Sequence, residues 1–220
     1  MVKFILCKNH FFNWRLSILT IKAIILDWEG VVWKTKDADL YTSVANALNA
    51  PYDKVYEIFF GEFNDQMDLG KYTQEEFDAY VINQLQLPKE KIKILKKVYD
   101  EETFIDNVLL TRIKELRKDY KIGLLSNYSD DLRPNIEHKW KIGDAFDEIV
   151  ISCEVGVIKP DPEIFNLALE RLGVHAEEAV FIDDRERNIV GAKKVGLRTI
   201  FYETREQTIS DLERILDANK

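Results

Sequence analysis

Residues 21–27, Ile-Lys-Ala-Ile-Ile-Leu-Asp, are the stretch on which the fold is decided. They form a short apolar run that ends on a carboxylate, Asp27. Counting this one as residues 22–27, similar runs recur at 121–125, 147–151, 179–183 and 197–202. Each is rich in Ile, Val, Leu or Phe and apolar along most of its length, the pattern of strands buried on both faces of a parallel sheet. Helical patterns lie between the later runs. In IDNVLLTRIKELRK, Ile105, Val108, Leu109, Ile113 and Leu116 predict one buried stripe. DPEIFNLALERLG opens with Asp161 and Pro162, an N-cap and first-turn pair, and closes on Gly173. Ser210–Glu213 predicts a capping box ahead of Ile215 and Leu216. Strands alternating with helices after residue 105 predict a doubly wound, Rossmann-like α/β core.

The interval after the first strand differs. From about 37 to 104 the pattern is helix after helix, with breaks near Pro51, Gly70 and Pro88. Thr73–Glu76 predicts a capping-box start for the third helix. A small all-helical insert at this point reads as a cap over the C-terminal end of the first strand, where open α/β sheets bind ligands. The expected organisation is an extension at 1–20, a core of 21–36 and 105–220, and a cap at 37–104. Lys34–Val108 holds 15 acidic and 9 basic residues, most of the net charge of −8, which disfavours long polyanionic substrates.

A chain of 220 residues, 46% hydrophobic and 32% charged, can bury a full core and is not composed like a disordered one. The acidic balance disfavours nucleic-acid binding, and the lysines at 89, 91, 93, 96 and 97 read as a solvated helix face. Cys7 and Cys153 stand far apart, which fits reduced thiols in the cytoplasm and excludes a cysteine zinc cluster. His10, His138 and His175 share no ligand spacing, and GxSxG, Walker and GxGxxG motifs are absent. Charged and polar residues interrupt the apolar patches of 1–20, and no run is long enough for a membrane span. The sequence carries no signal of oligomeric state.

Four stretches hold groups suited to a phosphoryl centre. Asp27 and Glu29, followed by Gly30, offer a nucleophile and a proton donor in a sharp loop. Asp183-Asp184 is an adjacent acid pair that a hard divalent cation such as Mg²⁺ would stabilise; it reads equally as an acidic turn with Arg185 and Arg187 as counter-ions. Ser126-Asn127 could donate to phosphoryl oxygens, or form an ordinary turn. Lys159, beside Pro160, could neutralise developing charge, or lie exposed.

Taken in order, these stretches resemble the haloacid dehalogenase superfamily, in particular its phosphatase-like members with a helical cap after the first motif. The resemblance runs from Ile21 to Tyr202 and is most specific in FDEIVISCEVGVIKPDPEIFNLALERLG and AVFIDDRERNIVGAKKVGLRTIFY. It implies that Asp27 forms an aspartyl-phosphate and that Glu29 is the acid/base, lending its carbonyl to Mg²⁺. It implies that Ser126 binds the phosphoryl group, with Asn127 supporting the loop, and that Lys159 pairs with Asp27 and the phosphate. Asp184 would be the main metal ligand, Asp183 a ligand or its support, and Asn188 a brace. The implied substrate is a small phosphorylated metabolite.

One departure stands out. Phosphatases of the family usually carry Asp where this chain has Glu29. The extra methylene moves the proton donor by about one C–C bond, and a ~1 Å misplacement can cost ~10²-fold in rate. Two other readings follow: an impaired or non-catalytic binding module, and carbon–halogen cleavage, which would need neither the acid pair nor Glu29. Trp28 reads as packing.

Overall fold

The computed structural model describes residues 20–36 and 39–218. The expected extension at 1–20 and Cys7 lie, apart from Thr20, outside the described residues. Five parallel strands form the main sheet: β1 (Ala23–Leu26), β4 (Lys121–Ser126), β5 (Glu148–Ile151), β6 (Ala179–Asp183) and β7 (Arg198–Phe201), in the order β5-β4-β1-β6-β7. These are the five runs read from the sequence. A second, two-stranded ribbon pairs β2 (Trp33–Thr35) with β3 (Thr103–Ile105) antiparallel. β1 is central, with β4 on one side and β6 on the other. The winding direction therefore reverses beside β1, which opens a crevice at its C-terminal end.

Alternation along the strands explains why the runs are apolar along most of their length. Ile24 and Leu26 join Ile122, Leu124, Val180 and Ile182 in the core on one face. Ala23 and Ile25 join Leu125, Val150, Ala179 and Phe181 in the core on the other. The second face is covered by Ile164, Phe165, Ala168, Leu169 and Leu172 from the helix Pro162–Leu172, with Ile189 and Ala192 from the helix Glu186–Lys194. Asp161 caps the first of these helices through the Glu163 N–H, and Gly173 ends it at φ 65°, as its sequence predicts.

Between β2 and β3 lie α1 (Leu40–Leu48), α2 (Tyr52–Phe60), α3 (Glu62–Asp68), α4 (Gln74–Gln84) and α5 (Ile92–Glu102). Thr73 and Glu76 form the expected capping box at the start of α4. Val44, Val55, Phe59, Phe77, Val81 and Leu95 merge with the core on the β1 face, so the insert shares a hydrophobic cluster with the sheet. Lys89, Lys93, Lys96 and Lys97 are exposed, and Lys96 pairs with Asp78 at 3.0 Å.

Three local readings are corrected. The stretch from 37 to 104 is not helical to its end: Thr103–Ile105 is strand, so Ile105 belongs to the ribbon and not to a helical stripe. Three residues are too few for periodicity to separate strand from helix start, and pairing with Trp33–Thr35 decides. The helix that follows, α6 (Asn107–Leu116), buries Leu109, Leu110, Ile113 and Leu116, whereas Val108 is 58% exposed. Ser210 is no N-cap; it lies inside the last helix, Arg205–Asp217, which Thr204 caps through the Gln207 N–H. The buried stripe Thr208, Leu212, Leu216 begins ahead of Ser210 and carries the helix through it. An unpredicted break at Gly61 separates α2 from α3.

Candidate active site

The strand ends bring the four stretches together. Asp27 follows β1 directly; its N–H donates to the Ile182 carbonyl at 2.9 Å, and its Oδ1 accepts from the Trp28 N–H at 2.7 Å. The loop then turns sharply, with the Val32 and Trp33 N–H groups both donating to the Trp28 carbonyl. Trp28 is fully buried, its ring centroid 5.1 Å from that of Trp140, so it packs as expected. Gly30 has φ +82°, and a Cβ there would lie 2.1 Å from Asp184 Oδ2. Only glycine lets this loop lie against the acid pair.

Lys159 is not the exposed lysine of the alternative reading. Its Nζ is buried and donates to Asp27 Oδ1 at 2.6 Å, Asp183 Oδ2 at 2.8 Å and the Leu125 carbonyl at 2.9 Å. Asn127 holds the backbone that presents it: the Lys159 N–H donates to Asn127 Oδ1 at 2.7 Å, and Asn127 Nδ2 donates to the Lys159 carbonyl at 3.0 Å. Gly191 lets the helix Glu186–Lys194 approach the same loop, since a Cβ there would sit 2.7 Å from Pro160 Cβ. Ser126, at the end of β4, is 1% exposed and among the described residues donates only a long 3.5 Å bond, to the Asn127 carbonyl.

The two adjacent acids have different surroundings. Asp183 accepts from Lys159 Nζ, from Asn188 Nδ2 at 3.0 and 2.9 Å, and from the Arg185 N–H at 2.8 Å. Among the described residues, Asp184 Oδ1 is buried with no hydrogen-bond partner. Oxygens of Asp27, Asp183 and Asp184 lie within 4.8 Å of one another. Burial pushes Asp27 up to about 7, with Lys159 opposing and Asp183 adding to the rise. Burial also raises Asp184, reinforced by Asp183 and opposed by Arg185. Burial would lower Lys159, but Asp27 and Asp183 outweigh it and hold the ammonium above its ordinary range. Three converging carboxylates, one with an unsatisfied buried oxygen, make a donor set that fits a hard divalent cation.

Glu29 stands apart from the acid pair, its Oε2 3.3 Å from Arg185 Nη2. Burial raises it and Arg185 opposes the rise. Sequence reading treated Arg185 only as a counter-ion to its neighbours; its side chain instead reaches Glu29, 156 residues away in the chain. That pairing has no local signal. Glu29 and Lys159 line a cleft of about 1360 Å³, together with Phe59, Met67, Asp68 and Phe77 of the helical insert. Acidic groups with raised pKa values in and beside a cleft are characteristic of functional sites.

The family model described as haloacid dehalogenase-like hydrolase matches residues 21–196. The chain is 28% identical over 196 residues to glyceraldehyde 3-phosphate phosphatase of Pyrococcus abyssi, covering 83% of this chain and 81% of that protein. A shorter match, 42% identical over 71 residues, is to acyl-CoA dehydrogenase family member 10 of mouse; it covers 32% of this chain and only 7% of that much longer protein. Among solved structures, the magnesium complex of a HAD family enzyme from Bacteroides thetaiotaomicron superposes with a TM-score of 0.72 at 25% identity, covering 88% of this chain and 98% of that one. With its parallel sheet, its strand-end acids and a family match across most of its length, the chain belongs to the haloacid dehalogenase-like hydrolases.

Proposed function

We propose that the protein is a Mg²⁺-dependent phosphomonoesterase acting on a small phosphorylated metabolite through an aspartyl-phosphate on Asp27. The observation that carries this reading is the convergence of Asp27, Lys159 and Asp184 at the strand ends, with Glu29 two residues beyond the nucleophile at the cleft. An Asp27 oxygen attacks phosphorus while the bond to the leaving oxygen breaks, and the Glu29 carboxyl gives its proton to that oxygen. A raised pKa suits Glu29 to start as the acid. The Glu29 carboxylate then takes a proton from water. That water's oxygen attacks phosphorus, the bond to Asp27 breaks, and inorganic phosphate leaves.

Lys159 neutralises charge on Asp27 and on the phosphoryl oxygens. Ser126, its hydroxyl weakly engaged, donates to those oxygens, and Asn127 fixes the Lys159 loop. Asp27, Asp184 and the Glu29 carbonyl would hold the metal; the oxygens of Asp183 are already engaged, so it orients Lys159, with Asn188 bracing it. Mg²⁺, when bound, would supply positive charge to the phosphoryl oxygens and offset repulsion among the acids. The phosphatase name of the Pyrococcus relative and the magnesium bound by the Bacteroides enzyme support this reading. The expected result is Mg²⁺-dependent phosphate release from p-nitrophenyl phosphate, abolished by Asp27→Asn. Turnover by that variant near the wild-type rate would overturn the nucleophile assignment, and halide release from a 2-haloacid in the presence of chelator would favour carbon–halogen cleavage.

A further inference from the structure

The insert lines the cleft with five carboxylates that the proposed chemistry does not use, Asp65, Asp68, Glu75, Asp78 and Asp100. Asp78 and Asp100 pair with lysines, and of the others only Asp68 is half-buried. Asp68 is the last residue of α3, and the Ser152 hydroxyl donates to its carbonyl at 2.6 Å, anchoring that turn to the core beside the site. It lines the same cleft as Glu29 and Lys159. Among the described residues no donor is hydrogen-bonded to the carboxylate, in contrast to Asp183, whose oxygens are filled. Burial, and then the charge of Glu29, push Asp68 up to about 7, while Arg185 pulls the other way from its place on Glu29. The carboxylate is half-buried, and an unpaired acceptor at the wall of a ligand cleft can take its donor from a ligand. Tyr41 and Tyr128 line the same part of the cleft, close enough to feel the charges of both Glu29 and Asp68. In the proposed reaction the leaving oxygen takes its proton from Glu29, in the cleft that Asp68 also lines.

Building on the phosphomonoesterase reading, we propose that Asp68 selects the leaving group. It accepts a hydrogen bond from a hydroxyl or ammonium near the phosphoester and turns away substrates that carry a carboxylate there. Hydroxyl and ammonium share the donor chemistry and differ in charge, so the substrate series separates them.

The test compares kcat/KM of wild type and Asp68→Asn on four substrates: glycerol 3-phosphate, phosphoethanolamine, 3-phosphoglycerate and p-nitrophenyl phosphate. Relative to the aryl phosphate, Asp68→Asn lowers kcat/KM for at least one donor-bearing substrate by about 10- to 100-fold, the range of a hydrogen bond to a charged acceptor, mainly through KM. It raises the relative value for 3-phosphoglycerate. Loss confined to glycerol 3-phosphate assigns a hydroxyl, and loss confined to phosphoethanolamine an ammonium. An equal change on all four substrates overturns the assignment and leaves the phosphatase reading intact. A wild type that takes 3-phosphoglycerate as readily as both donor-bearing substrates overturns it without any variant. Inactivity of the wild type on all four with Mg²⁺ brings down the phosphatase reading, and this inference with it.

Discussion

The two ends of the main sheet treat carboxylates in opposite ways. At the N-terminal edge, Asp147 accepts from the Arg117 side chain at 3.0 and 2.8 Å and from the Ile122 N–H at 2.8 Å; burial is outweighed and its pKa falls. Glu178, just ahead of β6, is held low by Lys22, 2.6 Å away, and by the His175 N–H. At the C-terminal edge, Asp27, Glu29 and Asp184 are all raised, each chiefly by burial. Charges at the first edge meet partners and hold strands in register. Those at the second stay raised even where Lys159 and Arg185 pair with Asp27 and Glu29, an arrangement that favours ligand and metal binding over stability.

That contrast can be broken most sharply at Asp184. With its pKa raised on folding, its ionised form costs stability at neutral pH. Asp184→Asn is expected to lower Mg²⁺-dependent phosphate release by about 10³-fold or more, without lowering the Tm measured in chelator. The Tm rise that Mg²⁺ gives the wild type should vanish in the variant. An unchanged Mg²⁺ response would place the metal elsewhere.

Glu29→Asp asks whether the longer side chain is suited to its place. Shortening it withdraws the carboxylate from Arg185, which already stands at 3.3 Å, and the expected loss in kcat is about 10²-fold. A gain in kcat would identify the natural residue as an impairment.

The smallest effect lies at the opposite edge. Asp147→Asn should leave kcat/KM unchanged and lower Tm at pH 7 by about 2–4 °C, the shift that ~1 kcal/mol gives a domain of this size. Because the folded-state pKa is depressed, the contribution is present above the unfolded value of about 3.9 and drains away as pH falls through the lower folded value. The Tm gap between wild type and variant should therefore narrow below about pH 4. A gap that widens on acidification would mean that Asp147 does not act through its charge.

Much of this was legible along the chain. The main-sheet strands were, because most of their positions are apolar and buried on both faces. Asp27, Ser126 and Asp183 were, because each sits where such a run stops. The ribbon strand Thr103–Ile105 was not, since its partner Trp33–Thr35 lies some seventy residues earlier. Neither was the start of the last helix, where a plausible capping motif at Ser210 competed with the true cap at Thr204. Arg185 and Asp68 escaped because their significance lies wholly in what they face.

By itself, then, the sequence determined the alternation of buried strands and helices, the residue types at the strand ends and the order in which they occur. These follow from local pattern: period, caps and the place where an apolar run meets its first charge. Only the tertiary structure decided which charges found partners. It joined Lys159 to Asp27 and Asp183, turned Arg185 towards Glu29, and left Asp184 Oδ1 buried without a donor among the described residues. Burial and pairing act through space, between segments brought together by the packing of the sheet and the insert.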